Sequence, residues 1–331
     1  MLREFRAPLE IVDVPDPEPG PGEALVRVRA AGVCATDLTI QDGGLPSVTP
    51  PHVPGHEIAG EVVRLGPGAE TSGVRAGDRV VVAYYLTCGR CGYCRTGRDT
   101  LCEKVRGRVG VELPGGFAEY VAVPAASLFP ISRSVPFAEA AVLADAGAAS
   151  WHALRRQGEL APGERVIVVG AGGLGLIAIQ LAKMAGAHPV AVDTSDEKLA
   201  AARDAGAEDV ALSTSEWPRT LGPADLVVDL VGEPETIECA LRAARPDGRV
   251  VLVSYGAGRE LTLSPKLVIV GQLRIIGSRG SYRQELAEVI RFTEERAITP
   301  VIGARYPLAQ VNEALAALRE HRYLGRATIE P

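Results

Sequence analysis

The sequence predicts an α/β chain with a second, mainly β domain, and three observations carry that expectation. Short alternating segments, punctuated by glycine and proline, fill the stretch before Phe137. From Phe137 onward, apolar strand-length runs alternate with helical ones, as in a doubly wound parallel sheet. The chain also has 331 residues, too many for one ordinary core.

Each element follows from its local pattern. Segment 24–30 alternates around Leu25, Arg27 and Arg29, which suits a half-buried strand, and 58–65 and 79–83 read similarly. Turn-forming runs such as Pro19-Gly20-Pro21-Gly22 and Gly66-Pro67-Gly68 separate them. The Ala-rich stretch 137–154 predicts a helix. Strands are expected at 165–169, 190–193, 226–230, 249–254 and 273–277, with helices at 174–185 and 197–205. The tail predicts helices at 284–295 and 308–319, then a strand at 326–329.

Composition narrows the function classes. With 47% hydrophobic and 23% charged residues the chain falls in the range of globular enzymes. Its formal charge of -6 argues against nucleic acid as a partner, because phosphate binding needs a basic surface. No apolar run approaches a membrane span, and the first residues carry no export-signal pattern, so the cytoplasm is the expected compartment.

The strongest local motif is Gly170-Ala171-Gly172-Gly173-Leu174-Gly175, which follows a predicted strand and opens a predicted helix. Gly170 permits the tight turn, Gly172 lets the backbone approach a pyrophosphate, and Gly175 brings helix and strand together. The helix start at Gly173 and Leu174 offers oriented N–H groups to the anion. The next strand ends at Asp193, near the distance expected of a ribose carboxylate. That carboxylate suits a ribose 2′-OH and repels a 2′-phosphate, and no arginine follows it, so NAD is favoured over NADP. A glycine turn that serves only strand–helix packing is the bland alternative.

Four of the six cysteines, Cys88, Cys91, Cys94 and Cys102, crowd into one loop. Four thiolates suit a closed tetrahedral zinc site, with no position left for substrate. An iron–sulfur cluster fits less well, since the fourth cysteine sits too far along and lacks the following proline. A nucleic-acid zinc finger lacks its basic helix. Cys34, in Gly-Val-Cys-Ala-Thr-Asp, and His56, in Pro-Gly-His-Glu, are modest signals taken singly. A lone cysteine is often a small buried hydrophobe.

Taken together, these segments resemble the zinc-containing medium-chain dehydrogenase/reductase family, alcohol dehydrogenase type. The likeness runs over nearly the whole chain through 32–37, 54–57, the cysteine lobe at 88–102 and the turn at 170–175. It implies a GroES-like mainly β catalytic domain over 1–145 and 281–331, and a Rossmann NAD-binding domain over 146–280. It also implies two zinc ions per subunit, a structural one in the lobe and a catalytic one on Cys34 and His56, with Glu57 beside the metal. Many members place a cysteine third ligand where this chain reads Leu143-Ala144-Asp145-Ala146-Gly147. The chain is similar to the bacterial branch in which that aspartate ligates, so Asp145 is assigned. Its bland reading is a helix N-cap or turn residue.

The same resemblance gives Thr36 the hydroxyl that meets the substrate oxygen and Asp37 the carboxylate that orients His56. Ordinary turn formation is the alternative for both. The histidine that often ends the proton relay is replaced by Thr39. Lys198 resembles an adenosine-ribose contact and Arg326 an arginine near the pyrophosphate, although an exposed salt bridge explains either. Tyr84 resembles an aromatic wall of the substrate pocket, with core packing as its rival. The implied reaction is reversible hydride transfer between a primary or secondary alcohol and NAD. A polyol or sugar-alcohol dehydrogenase is the alternative, and a non-catalytic cofactor-binding relative comes third. The implied partners are a small alcohol or carbonyl substrate and further copies of the chain, as a tetramer in preference to a dimer.

Overall fold

The computed structural model describes residues 1–255 and 260–331. The chain divides into two compact units. One comprises Met1–Asp145, Tyr282–Glu295 and Ile302–Pro331, and the other Ala146–Ser281 and Arg296–Val301.

In the first unit a seven-stranded sheet runs in the order Ile302–Pro307, Arg326–Glu330, Glu23–Val33, Glu57–Leu65, Arg79–Val82, Leu128–Pro130, with Tyr120–Pro124 also paired to Glu23–Val33. Along Glu23–Val33 the pleat turns Arg27 and Arg29 outward and buries Val26, Val28 and Ala30. Val26, Val28, Ile58, Val62, Val80 and Val82 belong to one continuous core. Two register shifts interrupt the pairing with Glu57–Leu65, between Leu25 and Val26 and between Val28 and Ala30. Beyond the second shift Gly32 stands opposite Glu57, at the strand end that leads into Cys34.

The second unit holds a six-stranded sheet, parallel throughout, in the order Asp209–Leu212, His188–Asp193, Arg165–Val169, Ala224–Asp229, Ala244–Leu252, Arg274–Gly277. Numbered along the chain this is 3-2-1-4-5-6. The winding reverses between Arg165–Val169 and Ala224–Asp229, the switch point at which such sheets bind ligands. Val168, Val228 and Val251 are fully buried, as expected of strands covered on both faces.

The fold class is the expected one, with local differences. Strands Tyr120–Pro124, Asp209–Leu212 and Ile302–Pro307 and helix Ala35–Gln41 had no clear sequence signal. The tail helix expected from 308 begins as a 3₁₀ turn, Leu308–Gln310, before Val311–Arg319. The Ala-rich helix is not uniform: α-helical Phe137–Val142 passes into a π-helical turn, Leu143–Gly147, before Ala148–Trp151 resumes. Among the described residues no helix is long and apolar enough to cross a membrane.

Candidate active site

Strand Glu23–Val33 ends one residue before Cys34, whose extended backbone starts helix Ala35–Gln41. Asp37, one turn in, turns back to accept the Cys34 N–H at 2.9 Å through Oδ2. Its Oδ1 accepts from the Gly55 N–H at 3.2 Å and faces His56 Nδ1 at 3.6 Å. Asp37 therefore ties together the two short segments that carry Cys34 and His56. Gly55 makes that approach possible: it has a φ of 96°, and a Cβ there would lie 2.6 Å from the Phe117 ring.

Asp145 reaches the same point from the π-helical turn. It is thus neither a helix N-cap nor a turn residue, and π-helical turns are frequent at functional sites. Its Oδ2 lies 3.7 Å from His56 Nε2 and 4.0 Å from Cys34 Sγ, and its Oδ1 accepts the Tyr84 hydroxyl at 2.7 Å. Cys34, His56, Glu57 and Asp145 each offer a ligand atom, and all four atoms lie within 4.8 Å of one another. Tetrahedral ligands of zinc, bound at about 2.0–2.3 Å, stand roughly 3.3–3.8 Å apart, so Asp145, at 3.7 Å from His56 and 4.0 Å from Cys34, needs only slight tightening to share one ion with them.

Electrostatics agree with a cation site. Burial would raise the Asp145 pKa, but His56, then Arg326 and the Tyr84 hydroxyl, hold it at about 2. Burial would lower that of His56; the two carboxylates, Asp145 first, outweigh it and set the imidazole well above its ordinary range. A site that draws positive charge onto a buried imidazole suits a divalent ion there. Glu57 is fully buried, and desolvation, partly offset by Arg326, pushes its carboxyl up to about 7.

Arg326 stands among these groups. Its Nη2 donates to Glu57 Oε1 at 2.7 Å and to Cys34 Sγ at 3.4 Å, and lies 3.9 Å from Asp145 Oδ2. It is no exposed salt bridge, being 6% exposed. Thr36 Oγ1 lies 3.7 Å from Cys34 Sγ. The Thr39 hydroxyl donates at 3.1 Å to the Ala35 carbonyl of its own helix. Tyr84 packs its ring against His56, with centroids 5.2 Å apart, and turns its hydroxyl to Asp145; neither this contact nor the place of Arg326 left a mark in the local sequence.

The lobe gathers Cys88, Cys91, Cys94 and Cys102, again within 4.8 Å of one another. Cys88 and Cys94 sulfurs stand 3.9 Å apart, close to the roughly 3.8 Å of two thiolates on one zinc. Backbone N–H groups of Cys91 and Cys94 point at the sulfurs of Cys88 and Cys91, and those of Cys88 and Lys104 at Cys102. Such donors favour thiolate, and the N–H groups of Arg90 and Cys91 bring Cys88 down to about 6.

In the second unit the glycine turn joins strand Arg165–Val169 to helix Gly173–Met184. Gly170 has a φ of 98°, and a Cβ on Gly175 would lie 1.9 Å from the Gly170 carbonyl oxygen. Among the described residues, chain neighbours aside, no atom lies within 4 Å of where a Gly172 Cβ would stand, which leaves the approach that a pyrophosphate needs. Asp193 ends the neighbouring strand. Its Oδ2 accepts from the Ala171 N–H at 2.8 Å and its Oδ1 from those of Thr194 and Ser195, while Lys198 Nζ stands 3.8 Å away.

A doubly wound parallel sheet with this turn, in one chain with a β unit carrying two clusters fit for metal, defines a metal-dependent dinucleotide dehydrogenase. Residues 20–133 match the family model for the alcohol dehydrogenase GroES-like domain, and residues 173–295 that for zinc-binding dehydrogenases. An alcohol dehydrogenase of Geobacillus stearothermophilus is 33% identical over 100% of this chain and 98% of its own length. An NAD-dependent alcohol dehydrogenase of Sulfolobus acidocaldarius is 34% identical with the same coverage. A crystal structure of an NAD-dependent alcohol dehydrogenase superposes with a TM-score of 0.93 at 33% identity, covering 99% of this chain and 97% of that one. The chain belongs to the zinc-containing medium-chain dehydrogenase/reductase family, alcohol dehydrogenase type.

Proposed function

We propose that Cys34, His56 and Asp145 hold a catalytic zinc, that Cys88, Cys91, Cys94 and Cys102 hold a structural zinc, and that NAD rests on the turn at Gly170–Gly175 with Asp193 at its ribose. The chain is a zinc-dependent, NAD-linked alcohol dehydrogenase, moving hydride reversibly between an alcohol and the cofactor. The observation that carries the site assignment is the meeting of a thiol, an imidazole and a carboxylate from positions 34, 56 and 145.

When bound, the zinc supplies a Lewis acid for the substrate oxygen and the nicotinamide the hydride acceptor. The chain supplies orientation and a path for the proton. Asp37 faces His56 Nδ1, which leaves Nε2 turned toward Asp145 and Cys34. Thr36 Oγ1 accepts the hydrogen bond of the substrate hydroxyl and relays its proton to solvent water, which takes it up as hydronium. The Thr39 hydroxyl donates to the Ala35 carbonyl of its own helix. Asp193, an acceptor only, takes a ribose hydroxyl and disfavours a phosphate. The polyol alternative is not better supported: Glu57 stands in the metal cluster, but its Oε1 accepts from Arg326.

We place the enzyme in the cytoplasm as a homo-oligomer, tetramer in preference to dimer. The gathering of four cysteines into one metal cluster, in place of a disulfide framework, supports the first point; the family resemblance supports the second. Metal analysis with an NAD and NADP panel over simple alcohols and a polyol tests the function. The expected result is two zinc ions per chain and faster turnover of simple alcohols with NAD. Asp145→Ala is expected to keep one zinc and lose activity. Full activity in that variant would move the third ligand elsewhere, with Glu57 the first candidate.

A further inference from the structure

We propose that Tyr84 is a positioning residue for the metal-ligating carboxylate of Asp145, so that a hydroxyl at 84 and a carboxylate at 145 work as a pair. The proposal rests on the reading of Asp145 as the third ligand.

A cysteine presents one donor atom to a metal, whereas an aspartate presents two. Its terminal torsion is broad, so an unrestrained carboxylate can offer either oxygen or both. The structure divides the two oxygens. Oδ1 accepts the Tyr84 hydroxyl at 2.7 Å, while Oδ2 faces His56 Nε2 at 3.7 Å and Cys34 Sγ at 4.0 Å. Arg326 Nη2, 3.9 Å from Oδ2, is too distant to hold that oxygen by a hydrogen bond.

The phenol is well placed to impose this orientation because it is itself held. Tyr84 is buried, and its ring is tilted against His56, centroids 5.2 Å apart, and against Tyr85 at 4.8 Å. Its carbonyl accepts the Val109 N–H at 2.9 Å. A packing role needs only the ring, and phenylalanine would fill it. The hydroxyl costs desolvation unless it is hydrogen-bonded, and its partner is the carboxylate that needs orienting.

The test is Tyr84→Phe, which keeps the ring and removes one oxygen. Release of zinc to a chromogenic chelator gives the metal off-rate, and replacement of the catalytic-site zinc by Co²⁺ gives a ligand-field spectrum that reports carboxylate geometry. Loss of an outer partner of a metal ligand costs roughly 10- to 100-fold in metal affinity. The expected result is a rise of that order in the off-rate of one zinc, a shifted Co²⁺ band and an unchanged lobe zinc. In an Asp145→Cys background Tyr84→Phe is expected to change neither reading, because a single donor atom needs no orienting. An unaltered off-rate and spectrum in Tyr84→Phe would overturn the proposal, as would an equal loss in the single-donor background. Asp145→Ala, run alongside, separates the two levels. Metal retained at the catalytic site there refutes the ligand assignment itself, whereas metal lost there with Tyr84→Phe unaffected refutes the pairing alone.

Discussion

Arg326 Nη2 lies 2.7 Å from Glu57 Oε1, an ion pair whose side chains are 7% and 0% exposed. Removing Arg326 takes away the charge that offsets burial of the Glu57 carboxyl, which then takes up a proton and loses that hydrogen bond. Arg326→Met is therefore expected to destabilise the first unit by about 1–3 kcal/mol in urea unfolding. Glu57→Gln, which keeps an acceptor for the guanidinium, should cost clearly less. Equal losses would show that packing of the long arginine side chain, not its charge, matters there.

The same glutamate sets a pH dependence in protein stripped of metal. Burial, opposed by Arg326, puts its folded pKa at about 7, above the unfolded value of about 4.3. The folded state then binds the proton more tightly. The stability from this group is fully present below the unfolded pKa and is lost as pH rises through about 7. His56, also raised, adds a slope of the same sign, whereas Asp145, at about 2, is ionised throughout that window. The informative quantity is accordingly the difference between wild type and Glu57→Gln. Wild type should lose more stability than the variant between pH 5 and 8; identical slopes would mean that Glu57 stays ionised.

How much could be read in advance followed from how local each signal was. The glycine turn and the cysteine lobe each lie within 15 residues, and both fold as their spacing suggests. Helix Ala35–Gln41 is only seven residues long with β-branched Thr36 and Thr39 inside it, too short for a periodic pattern to emerge. Strand Ile302–Pro307 carries Gly303 and ends in proline, which argue against a strand; it survives as the edge of its sheet, where proline is tolerated. Arg326 meets Glu57 across 269 residues and Tyr84 meets Asp145 across 61, contacts that no local pattern encodes. Asp145 stands out in the sequence through family likeness alone, and the π-helical turn that carries it leaves no sign in an Ala-rich stretch.

Asp193 accepts three backbone N–H groups, those of Ala171, Thr194 and Ser195, so it shapes the turn as well as being the proposed acceptor for the ribose. Hydrogen bonds to a charged group contribute about 1.5–3 kcal/mol each, which corresponds to roughly 10- to 150-fold in affinity. Asp193→Asn is expected to raise the NAD dissociation constant within that range and to narrow the preference over NADP, since the repelling charge is gone. A titration that leaves the NAD to NADP ratio unchanged would place discrimination in another group.

The lobe offers a metal-removal experiment in which a structural site and a catalytic one should separate. Four thiols with backbone N–H groups aimed at three of their sulfurs form a closed set, and zinc binding must displace the protons they carry. Cys94 is the most reluctant, pushed up to about 12 by burial and its neighbours, while Cys88 is near 6. Acid competes with the metal for these sulfurs, so lobe zinc should be retained at neutral pH and released to a chelator as the pH is lowered. The loop is anchored at one further point, where Asp99 Oδ2 accepts the Arg283 N–H at 2.9 Å from the start of helix Arg283–Glu294. Loosening the lobe should therefore disturb the edge of the first unit and not the pairing of Asp37 with Cys34. Cys102→Ser is expected to lose one zinc and lower the thermal midpoint by several degrees, while the Cys34 site still takes up Co²⁺. Loss of both metals together would mean that the lobe supports the catalytic site directly.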